Sequence, residues 1–336
     1  MAIDGNYRKP IGRVKTMKIR ILTADQVREV LPMPKAIEAM KRAFAQLSSR
    51  NADIPLRGRV ATEKGVTLLM PAYLHQSREL AIKIVSIYGD NPQMGLPTVA
   101  GLVMVLDPQT GMPLALIEGT SLTAIRTGAA GGLAAKLLSR KNSETLTLFG
   151  AGVQGKSQVQ GVMAVRSIRK VCIVDASLNQ AEKLAAEMAS WPSPPEIAII
   201  RDARDAVSQA DIVIAATTSL IPLFDGNDLR PGTHVTGVGS FTPQMQEIDA
   251  TTVRRARVVV DSREACMAEA GDLIIAGADI SAEIGEIVNG VFPPRQNDQE
   301  ITFFKTVGVA VQDAAAAAAV LAEAVEKGLG SLISMS

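Results

Sequence analysis

The chain has 336 residues, 47% of them hydrophobic and 21% charged, with a formal net charge of +1. That length suffices for two domains or one large one with a full core, and the balanced charge gives no ground for nucleic acid or a membrane surface as the main partner. Two cysteines, Cys172 and Cys266, make neither a disulfide framework nor a metal-ligand spacing, so the expected setting is a reducing cytoplasm and no metal is expected.

Residues 1–16 carry Arg8, Lys9, Arg13 and Lys15 with no apolar run behind them, which is not the pattern of a signal peptide. This segment is expected to be a poorly ordered extension, and Met17 reads as an alternative start. No apolar run reaches membrane-spanning length. Residues 18–22 alternate as a strand. Thr23 is placed to cap a short helix through about residue 30. Met33-Pro34 opens a second helix, with Ile37, Met40, Phe44 and Leu47 at core-facing spacing.

Residues 54–117 read as a run of antiparallel strands with no strand–helix rhythm. Arg57 lies near its start. In the strand over 79–88, Ala81, Lys83, Val85 and Ile87 share one face. A lysine there is either paired or lining a polar cavity, or it lies on an edge strand and snorkels to water; the pattern does not choose. Gly95-Leu96-Pro97-Thr98 is a turn, and Pro108-Gln109-Thr110-Gly111 joins a hairpin. Thr120 and Ser121 are placed to cap a helix through about residue 138. Ala124, Gly128, Gly131 and Ala135 give that helix a stripe of small residues, and Arg126 is its only charge before Lys136. An Arg there is either solvated or turned inward.

From residue 144 the rhythm becomes strand–helix alternation. Strands fall near 145–149, 170–174, 196–200, 212–215, 234–238 and 257–261, and helices near 154–165, 179–189, 203–210 and 246–256. That is a doubly wound parallel sheet of the Rossmann kind. The first strand enters Gly150-Ala151-Gly152-Val153-Gln154-Gly155. Gly150 permits the tight turn, Gly152 lets backbone approach a pyrophosphate, and Gly155 lets helix pack on strand. The N–H groups that begin the helix, at Val153 and Gln154, face the phosphates. Asp175 closes the next strand about 20 residues on, where a carboxylate accepts from a ribose 2′-OH. Thr217, and then Gly237 and Gly239, leave the carboxyl ends of later strands, where ligands bind in such sheets. After residues 301–308 the chain ends in an alanine-rich helix over about 309–327, with Asp313 in its first turns.

A dinucleotide domain implies hydride chemistry without naming a substrate. The only histidines are His75, in a loop, and His234, which opens a central strand and reads as structural; a His–Asp hydroxy-acid dehydrogenase has little to work with. Arg57, Lys83 and Arg126 remain. Three cations on one pocket suit a carboxylate, and so an amino-, imino- or keto-acid.

The segment Lys83-Ile84-Val85-Ser86 with Asn91, the Gly95-Leu96-Pro97-Thr98 and Thr110-Gly111 turns, Leu122-Thr123-Ala124-Ile125-Arg126-Thr127 and the glycine turn at 150–155 together resemble the ornithine cyclodeaminase/μ-crystallin family, over about residues 21–326. The resemblance implies an α+β substrate and dimerisation domain (17–126 with 309–336), a Rossmann domain (127–308) and a homodimer. It assigns Arg57, Lys83 and Arg126 to the substrate carboxylate, and Thr98 and Thr127 to the nicotinamide ribose and phosphates. Asp175 takes the ribose position, and with no Arg just after it NAD is favoured over NADP. In the family's cyclodeaminases and archaeal alanine dehydrogenases an Asp follows the fifth Rossmann strand; here Phe241 stands in its place and can neither take a proton nor bind an ammonium. The reading is therefore an NAD(P)H-dependent reductase of a small, possibly cyclic, α-imino acid, with Lys83 as the proton donor. The alternatives are an ornithine cyclodeaminase with Asp313 or Glu247 as the replacement acid, and a non-enzymatic ligand-binding protein.

Overall fold

A computed structural model describes residues 17–335; the extension expected over residues 1–16 lies outside them. The first half runs β1 (Lys18–Leu22), α1 (Ala24–Val30), α2 (Met33–Ser48), β2 (Ala52–Asp53), β3 (Gly58–Ala61), β4 (Gly65–Leu74), β5 (Glu79–Tyr88), β6 (Val99–Leu106), β7 (Pro113–Glu118) and α3 (Gly119–Leu138). The second runs β8 (Thr145–Phe149), α4 (Val153–Met163), β9 (Lys170–Val174), α5 (Leu178–Ala189), β10 (Glu196–Ile199), α6 (Ala203–Ser208), β11 (Ile212–Ala215), β12 (His234–Gly237), α7 (Ala250–Arg255) and β13 (Arg257–Val260). It continues through α8 (Arg263–Glu269), α9 (Gly271–Ala276), β14 (Ile280–Glu283), α10 (Ile284–Val288), β15 (Thr302–Lys305), α11 (Ala310–Glu326) and β16 (Ser331–Ser334).

Among the described residues these strands make two eight-stranded sheets. The first has the order β16-β1-β7-β6-β5-β4-β2, with β3 paired to β4 off that path, and β3 to β7 are joined antiparallel. The second is parallel throughout, in the order β10-β9-β8-β11-β12-β15-β13-β14. The expected α/β architecture is therefore present, with an α+β unit beside a doubly wound sheet. Two differences stand out. The run at 301–305 is a strand inserted between β12 and β13, and the chain closes on β16, paired with β1. The sequence reading placed neither, because strand insertion order leaves no local pattern.

Period-two alternation gives the first sheet two faces. Met70, Lys83, Val103 and Ile117 lie opposite one another across β4 to β7 and are buried, under a layer of α2, α3 and α11. On the other face Leu69, Ile84 and Leu102 form the next row, and they are exposed. The helix α3 ties the two sheets together. Its small residues admit α4 at backbone distance: a Cβ on Gly128 would lie 2.2 Å from the Ser157 carbonyl oxygen, and one on Gly161 2.0 Å from that of Gly128. The cap of α3 is not Thr120 or Ser121. It is Glu118, whose carboxylate accepts from the N–H groups of both, as suits an anion at a helix start.

Candidate active site

The carboxyl ends of β8 and β9 build the dinucleotide turn. Gly150 has φ +95°, which an L side chain rarely adopts, and a Cβ on Gly155 would lie 1.9 Å from the Gly150 carbonyl oxygen. A Cβ on Gly152, by contrast, would meet nothing within 4 Å: the backbone there faces open space. Gly152 caps α4 without any side-chain hydrogen bond to the first turn, so the amides at Val153, Gln154 and Gly155 keep their donors free of side-chain caps. The Asp175 carboxylate accepts from the Ala151 N–H at 2.7 Å and from the Ser177 N–H at 2.7 Å. It thus stands against the turn, half-buried. These features fit a dinucleotide: a cradle closed to Cβ atoms below, open above, with an acceptor at its edge. A cleft of about 880 Å³ opens beside it, lined by Gly152, Val153 and Lys156 with Thr120, Ser121 and Lys183; none of Arg57, Lys83 and Arg126 lines that cleft.

The loops after β11 and β12 are joined by one buried carboxylate. Glu247 Oε1 accepts the Thr217 N–H at 2.5 Å and the Thr217 hydroxyl at 2.8 Å. Its Oε2 accepts the Gly239 N–H at 2.6 Å and the Ser240 N–H at 3.1 Å. Burial raises the Glu247 carboxyl, opposed by the charge of Lys305. Behind it Asp272 accepts the Glu247 N–H at 2.7 Å and pairs with Lys305 at 3.0 Å, both side chains fully buried. Sequence reasoning had Glu247 as a candidate acid and did not see Asp272 or Lys305. Phe241 lies just beyond, 42% exposed.

The three cations come together at the start of α11. Lys83 is on an interior strand and only 3% exposed, so it does not snorkel. Its Nζ lies 2.6 Å from Asp313 Oδ2. Arg126, also turned inward, donates from Nε to Asp313 Oδ1 at 3.0 Å and from Nη1 to Gln312 Oε1 at 2.9 Å. Arg57 Nη2 donates to the Gly308 carbonyl at 3.1 Å and pairs with Glu269 at 3.0 Å. Burial pulls the Lys83 ammonium down to about 8; Asp313 opposes this, while Arg126 and then Arg57 add to it. A lysine so tuned exchanges its proton near neutral pH. Burial also raises the Glu269 carboxyl, with Arg57 opposing.

Other expected residues sit as follows. Thr98 is exposed in the turn before β6, and its carbonyl accepts the Tyr88 N–H at 2.9 Å. The Thr127 hydroxyl donates back to the Thr123 carbonyl at 2.7 Å, on the α3 face toward α4. His234 is buried between the hydroxyls of Thr302 and Thr236 and held at about 3, so it stays neutral and structural. Glu269, Gln312 and Gly308 were not anticipated; no spacing marks them, since each matters only through what the fold sets beside it.

The ornithine cyclodeaminase/mu-crystallin family model matches residues 17–328. A Δ1-pyrroline-2-carboxylate reductase of Bacillus cereus is 37% identical over 323 residues, covering 93% of this chain and 99% of that one. Among solved structures, the Δ1-pyrroline-2-carboxylate reductase of Thermococcus litoralis, in complex with NADH and L-proline, superposes with a TM-score of 0.89 at 41% identity, over 93% of this chain and 99% of that chain. An archaeal alanine dehydrogenase dimer with bound NAD gives 0.89 at 33% identity, over 95% and 100%. The glycine turn, the three cations and this match from Met17 to Gly328 place the chain in the ornithine cyclodeaminase/mu-crystallin family.

Proposed function

We propose that this chain is an NADH-dependent reductase that converts a small α-imino acid, such as Δ1-pyrroline-2-carboxylate, into the L-amino acid. The observation that carries the reading is the convergence of Lys83 and Arg126 on Asp313, with Arg57 near enough to act on the Lys83 ammonium. Lys83 and Arg126 share one carboxylate, Asp313, between them, and a guanidinium and an ammonium so placed suit the carboxylate of a substrate. Arg57 and Arg126 hold that carboxylate. Lys83 passes its proton to the imine nitrogen and is reprotonated from solvent. NADH, when bound, supplies the hydride that the imine carbon takes up. The residues that would hold it are the turn at Gly150, Gly152, Val153, Gln154 and Gly155, with Asp175 as acceptor for the ribose, Thr98 and Thr127 for the nicotinamide ribose and phosphates, and Thr217, Gly237 and Gly239 at the carboxyl ends of the later strands.

Cyclodeamination needs an acid where Phe241 stands. The two replacements, Glu247 and Asp313, are both spoken for: four donors occupy the first and two cations the second. This favours the reductase.

The site is divided between a substrate unit (17–126 with 309–336) and a dinucleotide unit (127–308). The chain works as a homodimer in the cytoplasm. Support for the dimer comes from the exposed apolar row Leu69, Ile84 and Leu102 and from the dimeric alanine dehydrogenase relative. No helix of the described residues is long and apolar enough to cross a membrane.

The test is a pair of assays. Δ1-pyrroline-2-carboxylate or its six-membered homologue is mixed with NADH, then with NADPH, and loss of reduced cofactor is followed. Ornithine is mixed with catalytic NAD, and ammonia is followed. Oxidation of NADH with proline or pipecolate formed is expected; ammonia released with the cofactor returned unchanged overturns the reading.

A further inference from the structure

Asp261 follows β13 and is fully buried. Its Oδ2 accepts the Thr306 hydroxyl at 2.6 Å, the Val307 N–H at 3.0 Å and the Gly308 N–H at 2.9 Å. Its Oδ1 accepts the Ser262 N–H at 2.8 Å and the Cys266 thiol at 3.2 Å. Taking all these donors requires a group that only accepts, which is the ionised carboxylate. A buried charge is a poor device for stability alone, because desolvation offsets what its partners return. Its effect here is to order two chain segments.

Both segments end on Arg57. The Thr306-Val307-Gly308 turn, pinned by Oδ2, presents the Gly308 carbonyl that accepts from Arg57 Nη2 at 3.1 Å. Gly308 has φ +81°, a conformation that glycine adopts readily and other residues do not, whereas Arg126 is held separately by Asp313 and Gln312. The other segment is the start of α8, pinned by Oδ1 and capped by Ser262. The last residue of α8, Glu269, is the second partner of Arg57, at 3.0 Å. One carboxylate therefore places both anchors of one guanidinium without touching it.

We infer that Asp261 is a positioning residue for Arg57, and through it for the carboxylate of the imino acid. This rests on the reading that Arg57 receives that carboxylate. A merely structural Asp261 lowers everything together. A positioning Asp261 acts on imino-acid binding alone, and only while Arg57 is present.

The experiment is a double-mutant cycle on the full chain with NADH. Asp261→Asn keeps the shape but replaces one acceptor oxygen with an NH2 group. It is expected to raise the KM for Δ1-pyrroline-2-carboxylate by about tenfold, about 1.4 kcal/mol, while the KM for NADH stays within about twofold. Calorimetric titration of L-proline reads the same weakening without turnover. In an Arg57→Ala background Asp261→Asn adds almost nothing, since coupled residues are not additive. The inference is overturned if Asp261→Asn adds its full effect on top of Arg57→Ala, or leaves imino-acid and L-proline binding unchanged. If Asp261→Asn does not yield folded protein, Thr306→Val removes one of the five donors and keeps the carboxylate; a rise of about threefold or more, absent without Arg57, is then expected from the lost charge-assisted hydrogen bond, and no rise overturns the inference. Failure of the functional reading is distinguishable, because it shows as an unreduced imine in the parent chain.

Discussion

Replacing Asp313 with Asn tests how the site sets its proton donor. The carboxylate lies 2.6 Å from Lys83 Nζ and 3.0 Å from Arg126 Nε, with all three side chains buried. Removing one partner of a buried ion pair costs about 3–5 kcal/mol, because the other charge is left uncompensated. Arg126 retains Gln312 as an acceptor and cannot lose its proton; Lys83 can. If about 3 kcal/mol falls on the ammonium, its pKa drops by about 2 units, from about 8 to roughly 6. At about pH 7.5 the parent lysine is then roughly three-quarters protonated and the variant's about one part in thirty, a loss of about 25-fold in kcat/KM that shrinks below about twofold near pH 5.5. The sign follows from the depressed value: the protonated donor is present at low pH and lost as pH rises through it. The assay is the pH profile of kcat/KM with saturating NADH, beside circular dichroism to confirm the fold. A loss that is equal at every pH, or an alkaline limb still at about 8 in the variant, would refute the reasoning.

Glu247→Gln removes the shared acceptor of Thr217, Gly239 and Ser240; the KM for NADH should rise about tenfold, as for a lost hydrogen bond to a charged group, and an unchanged value in steady-state kinetics would show that these loops do not need it. Asp175→Ser takes away the acceptor beside the dinucleotide turn. The preference for NADH over NADPH should fall by about tenfold or more as repulsion of a 2′-phosphate disappears, and a constant ratio in parallel assays counts against a ribose role. Ile84→Asp puts a charge into the exposed apolar row of the first sheet; sedimentation should then show monomer where the parent gives dimer, and an undisturbed dimer means that the interface lies elsewhere.

What could be read from the sequence is what is encoded within a few residues. The glycine turn at 150–155 was legible because φ at Gly150 and the approach at Gly155 admit little else. The strand–helix rhythm from residue 144 and the alternation of residues 79–88 were legible because side-chain periodicity is a local property. Lys83 and Arg126 were legible as cations out of keeping with their surroundings, whereas Arg57 was named by its position and by the family resemblance. The small-residue stripe of α3 announced close packing, though not that α4 would be its partner.

Only the tertiary structure decided what those residues meet. Arg126 and Asp313 are 187 positions apart, and no periodicity reaches that far. The strand pattern left Lys83 open between water and a partner; the return of α11 over β5 settled it in favour of Asp313. Glu247 looked free as a sequence and proved to be the clasp between two loops. Asp261 looked like one more residue ending a strand, until β15 entered the sheet beside β13 and brought Thr306, Val307 and Gly308 onto its oxygens. The sequence determined which groups are present and which local shapes their backbones take. Folding decided which of them are buried together, and burial converts ordinary carboxylates and amines into fixed pairs with shifted proton affinities.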